Sequence, residues 1–225
     1  SPSRILDLGC GPGNSTKKLA ERFSDADILG IDYSEDMLEK ARATYPELKF
    51  ERSSVPDDLD KLGGKFDLIF SNACIHWIPD HRKLIPAIFD KLSEGGTLAV
   101  QIPYIQKAPF YRLLNLLVDT GEWKKLSVIH NFHNLFPEEY YDILSGLSES
   151  FNIWETTYYH TVSSHDGVIE WYKGSGLRPY LDMLSDEEKP RFLADLSEMI
   201  SENFPRRENG SIILKMPRVF FTAKK

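Results

Sequence analysis

The stretch Ile5-Leu6-Asp7-Leu8-Gly9-Cys10-Gly11-Pro12-Gly13-Asn14 decides the fold, because an apolar run broken by one acid gives way to alternating glycines. It reads as a strand, a tight loop and, from about Ser15, the start of a helix. Glycine at positions 9, 11 and 13 removes three Cβ atoms from one face of the loop, so its backbone can turn sharply and lie close against a ligand. The following helix turns its free N–H groups toward the same point, where they favour anionic or electron-rich groups.

The spacing narrows the ligand. A dinucleotide fingerprint, G-x-G-x-x-G, would need glycine at position 14, where Asn14 stands. Asp7 precedes the first glycine, beside the place where a pyrophosphate would bring its negative charge. Both features argue against NAD. An acid there suits an ammonium or sulfonium group, as in the methionine part of S-adenosylmethionine. The second strand, Asp27 to Asp32, ends in another acid nineteen residues after Gly13, where a carboxylate can accept hydrogen bonds from both ribose hydroxyls. The two acids would bracket a nucleoside, with Gly9, Cys10, Gly11, Gly13 and Asn14 between them.

Leu6-Asp7-Leu8-Gly9-Cys10-Gly11-Pro12-Gly13 followed by Gly30-Ile31-Asp32 resembles the class I S-adenosylmethionine-dependent methyltransferases. Ser71-Asn72-Ala73-Cys74-Ile75-His76-Trp77-Ile78-Pro79-Asp80-His81 and Trp171-Tyr172-Lys173-Gly174-Ser175-Gly176-Leu177-Arg178-Pro179-Tyr180-Leu181 resemble segments of the trans-aconitate methyltransferase family. Together these cover nearly the whole chain. The resemblance implies a methyltransferase that converts S-adenosylmethionine to S-adenosylhomocysteine. It also implies an N-terminal helix packed over the cofactor. Ser1-Pro2-Ser3 leads directly into the first strand, so either the chain dispenses with that helix or the given sequence begins after it.

The 225 residues suffice for one α/β domain with a substantial core and a modest cap. A net charge of -7 and a pI near 5.4, with no cluster of four or more Lys or Arg, make nucleic acid an unfavourable partner. The apolar runs fall far short of the roughly 20 residues a bilayer span needs, and no signal peptide opens the chain. Two cysteines, Cys10 and Cys74, make no disulfide framework. The expected setting is cytoplasmic, and nothing in the sequence speaks to oligomeric state.

From Arg4 to Ile102 strands are expected at 4–8, 27–32, 48–53, 66–72 and 96–102, with amphipathic helices at 15–23, 34–45 and 80–92. That alternation predicts a doubly wound, Rossmann-like, mostly parallel sheet. Ser34 is expected to cap the second helix, and Gly95-Gly96 to end the helix before the fifth strand. Beyond Pro103 the alternation stops. Helical, aromatic-rich insertions at about 104–136 and 164–210 are expected to cap the cofactor at the strand ends of a single domain. A helix at 137–147 and a strand at 152–160 lie between them. The last run, 211–223, predicts an antiparallel edge or hairpin strand.

Tyr33 and Met37 either supply an apolar surface under the adenine or pack in the core. Ser53 and Ser54 occupy the end of the third strand, where many relatives carry an acid for the adenine amino group; a hydroxyl there or the Val55 backbone would bond the base instead, in a weaker contact. The resemblance places Asn72 and Ala73 beside the methionine portion. Cys10 and Cys74 read as small packing residues, because methyl transfer from a sulfonium needs no thiol. His76 is the candidate catalytic residue, as a base or as a donor. His81, His130, His133, His160 and His165 lack metal-ligand spacing, so no metal is expected.

Arg178, between Gly174-Ser175-Gly176 and Pro179, is the leading cation for an anionic substrate; the bland alternative is a solvated surface Arg. His76, Trp77, Tyr104, Trp171, Tyr180 and Arg218 complete the expected substrate site, with Arg218 a weaker candidate than Arg178 for an additional substrate carboxylate. The pair Arg206-Arg207 is a weaker candidate of the same kind. A carboxylate is ionised at neutral pH and can accept a methyl group without a base, which fits a small polycarboxylic acid. The rivals are another small-molecule or acyl-carrier methyltransferase, an S-adenosylmethionine sensor, and a dehydrogenase.

Overall fold

Buried strand interiors set the architecture. In β1 (Arg4–Leu8) four consecutive residues are buried, as expected for a parallel strand covered on both faces. The computed structural model describes residues 1–129 and 132–225. In it, β1 pairs in parallel with β2 (Asp27–Asp32) and β4 (Phe66–Asn72). β2 pairs in parallel with β3 (Lys49–Arg52), and β4 with β5 (Leu92–Pro103). With β6 (Ser150–Val162) and β7 (Ile212–Lys224), a seven-stranded sheet forms in the order β3-β2-β1-β4-β5-β7-β6. It is mostly parallel, with antiparallel C-terminal strands.

The connecting helices are α1 (Asn14–Arg22), α2 (Glu35–Thr44) and α3 (His81–Asp90). Leu19 of α1 packs with Ile5 and Ile28, while Leu38 and Ala41 of α2 pack with Cys10 and Phe50. Each fully buried Leu or Ile in these clusters contributes about 1.5–3 kcal/mol of burial free energy. That burial fixes the helices against the strands that carry the glycine loop.

The chain divides into two compact units. The first comprises Ser1–Pro103, Phe132–Glu155 and Val219–Lys225, and includes α5 (Pro137–Ser145). The second comprises Tyr104–Asn131 and Thr156–Arg218. It is built on α4 (Pro109–Val118), α6 (His165–Lys173), α7 (Arg178–Asp182) and α8 (Glu188–Asn203). Within it Leu114, Leu117, Phe192, Leu196 and Ile200 are buried, and the Trp123 indole N–H donates to Asp195 at 2.7 Å.

Three expectations are corrected. β7 is not an edge strand: it lies between β5 and β6, and its buried Ile212, Leu214, Val219, Phe221 and Ala223 are what an interior strand requires. β6, whose Thr, Tyr and Glu side chains are mostly exposed, takes the edge instead. Gly95-Gly96 does not end α3. It lies inside β5, where the Gly95 amide donates to the Lys225 carbonyl and the Gly96 carbonyl accepts the Lys225 amide. Ser34 occupies the position before α2, but its side chain makes no cap bond; its carbonyl accepts the Met37 and Leu38 amides. No helix among the described residues is long and apolar enough to cross a membrane.

Candidate active site

The glycine loop is tied to the end of β2 amide by amide. Gly9 and Cys10 both donate to the Ile31 carbonyl, at 2.8 and 2.9 Å, and Gly11 donates to Oδ2 of Asp32 at 2.9 Å. Oδ1 of Asp32 accepts the Ser34 amide at 2.9 Å. Two backbone donors therefore fix the Asp32 carboxylate while each oxygen keeps acceptor capacity for a ligand hydroxyl. Gly9, at φ 77°, leaves no room for a side chain, since an added Cβ would lie 2.2 Å from Sγ of Cys74. Gly11, at φ 54°, is different: its Cβ direction meets no protein atom within 4 Å. The backbone at Gly11 is open to close approach by a ligand.

Asp7 is fully buried, and its Oδ2 accepts the hydroxyls of Ser15 at 2.7 Å and Thr16 at 2.6 Å. Its Oδ1 has no hydrogen-bond partner among the described residues. Burial pushes the Asp7 carboxyl up to about 6; the Thr16 and Ser15 hydroxyls oppose this, and the charge of Asp32 adds to it. A buried acid with one orphaned oxygen is complete only when a cationic or hydrogen-bond-donating group arrives. The residues present thus fit S-adenosylmethionine: acceptors on Asp32 for a ribose, an orphaned acid for an ammonium, and an open backbone between them.

The remaining cofactor candidates have varied placements. Tyr33 and Met37, 74% and 38% exposed, are not core residues, so their packing alternative falls away. Asn14 opens α1, and its Oδ1 accepts the Tyr45 hydroxyl at 3.0 Å. Gly13 adopts φ 88° against Phe50 and Tyr45. Ser54 is exposed and donates its amide to Asp58 at 2.8 Å, Val55 is half-buried, and the buried Ser53 hydroxyl has no partner among the described residues. Asn72 and Ala73 are exposed at the carboxyl end of β4. Burial, with the charges of Asp7 and Asp32, pushes the Cys10 thiol far up. Burial, Asp32 and Asp7 do the same to Cys74. Neither thiol is a nucleophile at neutral pH.

His76 and Trp77 lie in a short 3-10 turn, Ile75–Trp77, bracketed by two non-glycine residues with left-handed backbone, Ala73 at φ 52° and Asp80 at φ 54°. Such a conformation costs roughly 1 kcal/mol per residue and persists where surrounding structure enforces it. His81 helps enforce it. Its buried ring contacts the Ile75 carbonyl through Nε2 at 2.8 Å and the Tyr140 hydroxyl through Nδ1 at 2.7 Å. The Tyr140 oxygen in turn accepts the Leu135 amide at 3.2 Å. One neutral tautomer satisfies the set: Nε2–H donates to Ile75, and Nδ1 accepts from Tyr140. The His76 ring is buried, stacks on Phe132 at 5.7 Å and lies 4.8 Å from Trp77, itself 43% exposed.

In the second unit Arg178 is 74% exposed at its side chain and 3.7 Å from Asp182. It is solvated and has an acid beside it, unlike the desolvated clamp expected from its glycine-flanked setting. Arg218 meets that description better, as a half-buried guanidinium whose electrostatic neighbours are Tyr172, Tyr111 and Tyr158. Trp171 is exposed with its ring 5.0 Å from that of His160, while Tyr104 and Tyr180 are buried. The pair Arg206-Arg207 is exposed, with Arg206 holding the Ser163 and Gly210 carbonyls. His130 lies outside the described residues. Among the described residues no three His, Cys, Asp or Glu side chains gather as metal ligands.

Sequence reading missed Ser15, Thr16, Phe132, Tyr140, Tyr111 and Tyr172. Only the first two carried a local signal, as hydroxyls opening the helix after the loop.

A methyltransferase domain family model matches residues 5–96. Trans-aconitate 2-methyltransferase of Methylobacterium radiotolerans is 37% identical, over 100% of this chain and 88% of that protein. The protein of the same name from Enterobacter sp. strain 638 is 39% identical, over 99% of this chain and 86% of its own. Among solved structures, the YcgJ protein of Bacillus subtilis aligns with a TM-score of 0.60 at 16% identity, over 99% of this chain and 92% of that one, which shows the shared fold.

Proposed function

Because this chain belongs to the trans-aconitate 2-methyltransferase family, we propose that it methylates a carboxylate oxygen of trans-aconitate. It is an S-adenosylmethionine-dependent methyltransferase. The observation that carries the cofactor half is the Asp32 carboxylate, fixed by two amides beside a loop whose Gly11 faces open space. Asp32 would accept the ribose hydroxyls, Asp7 Oδ1 the ammonium group, and Tyr33 with Met37 would offer apolar surface to the base. Bound there, S-adenosylmethionine supplies an electrophilic methyl group on a sulfonium and leaves as S-adenosylhomocysteine.

An ionised acceptor carboxylate leaves no proton for the chain to remove. What the residues contribute is orientation and exclusion of water, which together can lower a barrier by several kcal/mol. His76, buried against the Trp77 and Phe132 rings, serves this reading as a positioning group and not as a base. The acceptor carboxylates it does not methylate need a cation to hold them.

Incubation with S-adenosylmethionine and a panel of di- and tricarboxylic acids, carrier-bound acyl groups and phenols tests the proposal by mass spectrometry of the products. The expected result is a monomethyl ester of trans-aconitate with the highest kcat/KM of the panel. Faster methylation of a phenol or an acyl carrier, or no ester at all, overturns it.

A further inference from the structure

The turn that carries His76 and Trp77 is held from both sides by residues of the first compact unit. On one side the Trp77 amide donates to the Cys74 carbonyl at 3.0 Å, and the Cys74 side chain fills the space over Gly9, where an added Cβ would lie 2.2 Å from Sγ. On the other side stands His81. The Ile75 carbonyl accepts the Ile78 amide at 2.9 Å and meets His81 Nε2 at 2.8 Å, so both its lone pairs are used. His81 Nδ1 lies 2.7 Å from the hydroxyl of Tyr140 on α5, a fully buried residue whose ring is 5.3 Å from that of Phe221. The segment before α5 adds a further tie, the His133 amide donating to the His76 carbonyl at 2.9 Å.

His81 is buried, and the acids near it are engaged elsewhere. Asp80 and His133 act on its ring, and Glu139 acts on Tyr140. The Asp80 carboxylate pairs with Lys83 at 2.8 Å, while Glu139 holds Arg82 at 2.9 Å and the Phe136 amide at 3.0 Å. Burial therefore keeps the ring neutral, and His133 works in the same direction. A proton added to Nδ1 would point at a Tyr140 oxygen that already accepts the Leu135 amide at 3.2 Å, and the Tyr140 hydroxyl would lose its acceptor. The left-handed backbone at Ala73 and Asp80, which flanks the turn, then has less to enforce it.

We propose that His81 is a positioning residue for methyl transfer: its neutral ring, bonded to Ile75 and Tyr140, seats the turn bearing His76 and Trp77 against the glycine loop, and protonation of the ring unseats the turn and slows turnover. The proposal rests on the functional reading above, in which His76 is a positioning group. It assigns any acid limb of the pH–rate profile to a residue that touches neither cofactor nor acceptor. An acceptor carboxylate, ionised down to about pH 4, would not supply that limb.

The test measures kcat for trans-aconitate from about pH 8 to about pH 5, with S-adenosylmethionine saturating so that a bound ammonium keeps Asp7 ionised. Trp77 emission, taken as the signal lost in Trp77→Phe, is followed over the same range. In the parent both should change together, with one midpoint below 6.5. His81→Gln keeps an N–H for the Ile75 carbonyl and does not titrate. Its kcat at pH 8 should fall by about 2- to 10-fold, the effect of one hydrogen bond, and neither readout should retain the acid limb. Tyr140→Phe removes a hydrogen bond that favours the neutral ring, so it should move the shared midpoint up by about 0.5–1 pH unit. A histidine with a structural role alone would leave the kcat profile in place. S-adenosylhomocysteine affinity and thermal midpoint report whether each variant is folded, and if Tyr140→Phe is not, His81→Gln decides. A parent that makes no carboxylate ester overturns the functional reading and the role of His81 with it. A parent that methylates trans-aconitate overturns the role of His81 alone if its acid limb persists in His81→Gln, or if kcat stays flat in the parent and in Tyr140→Phe.

Discussion

The Gly11 amide donates to Asp32 Oδ2 at 2.9 Å, so the tip of the glycine loop and the acid at the end of β2 form one hydrogen-bonded unit. On the proposed function, removing the carboxylate acts twice, by deleting the proposed ribose acceptor and by releasing the loop amide. Asp32→Ala should weaken S-adenosylhomocysteine binding by about 1–3 kcal/mol, through lost charge-assisted hydrogen bonds. Calorimetry giving the parent's affinity for that variant would remove Asp32 from the cofactor site.

Asp7 links pH to stability and to binding. Its carboxyl rises from an ordinary 3.8 to about 6 in the folded chain, chiefly through burial. A raised carboxyl stabilises the fold fully below about 4, and the contribution is lost as pH rises through about 6. Asp7→Asn cannot ionise, so its stability relative to the parent should improve by roughly 3 kcal/mol between pH 4 and 7, read from chemical denaturation. A bound ammonium favours the ionised form, so cofactor binding near pH 5.5 should release protons in the parent and not in Asp7→Asn. Calorimetry in buffers of different ionisation enthalpy would detect the release.

His81 acts on the opposite side. Burial holds its ring neutral, with its pKa below the ordinary 6.5; backbone contacts at Ile75 and Ile78 oppose this in part. That stabilisation is complete above pH 6.5 and is lost as pH falls through the depressed value. His81→Leu should therefore have a shallower acid-side decline than the parent. Tyr140→Phe strands the buried His81 Nδ1 and the Leu135 amide together. It should cost about 1–3 kcal/mol at pH 7, and change Trp77 fluorescence because His81 holds the Ile75–Trp77 turn.

His76→Gln keeps a side chain of similar reach without an imidazole. Because the acceptor brings its own negative oxygen, this variant should retain turnover within about 10-fold of the parent and neither gain nor lose a limb in its pH–rate profile. A loss of many orders of magnitude, recovered at higher pH, would point to an amine, phenol or carbon acid as the true acceptor.

Arg178 and Arg218 separate a surface cation from a desolvated one. Arg178 stands exposed beside Asp182, and such i,i+4 pairs contribute at most a few tenths of a kcal/mol. Arg178→Ala should leave thermal stability within about 0.5 kcal/mol of the parent, and kcat/KM for trans-aconitate within a few-fold. A loss of about 30-fold or more would make Arg178 a substrate-binding cation in spite of its exposure.

The glycine loop, both acids and the alternation from Arg4 to Pro103 were legible because each is local. An apolar run, a glycine spacing and an acid at a strand end are written within a few residues and demand one backbone path. The order of the last two strands was less legible. The run from 211 to 223 reads as β-rich wherever it lies, and only its burial between β5 and β6 distinguishes an interior strand from an edge.

What the sequence determined by itself is the strand–loop–strand frame of the candidate cofactor site: Asp7, the three glycines and Asp32 are placed in it by chain geometry alone. Tertiary structure decided which charged and polar groups lack partners. Arg178 and Arg218 are both single arginines in aromatic surroundings, yet one finds Asp182 a helical turn away and the electrostatic neighbours of the other are tyrosines from two helices and a strand distant in sequence. Asp7 shows the same division, its position plain in the sequence and its orphaned oxygen not. Desolvation and hydrogen-bond satisfaction depend on everything that packs around a group, and that packing exists only once the chain has folded.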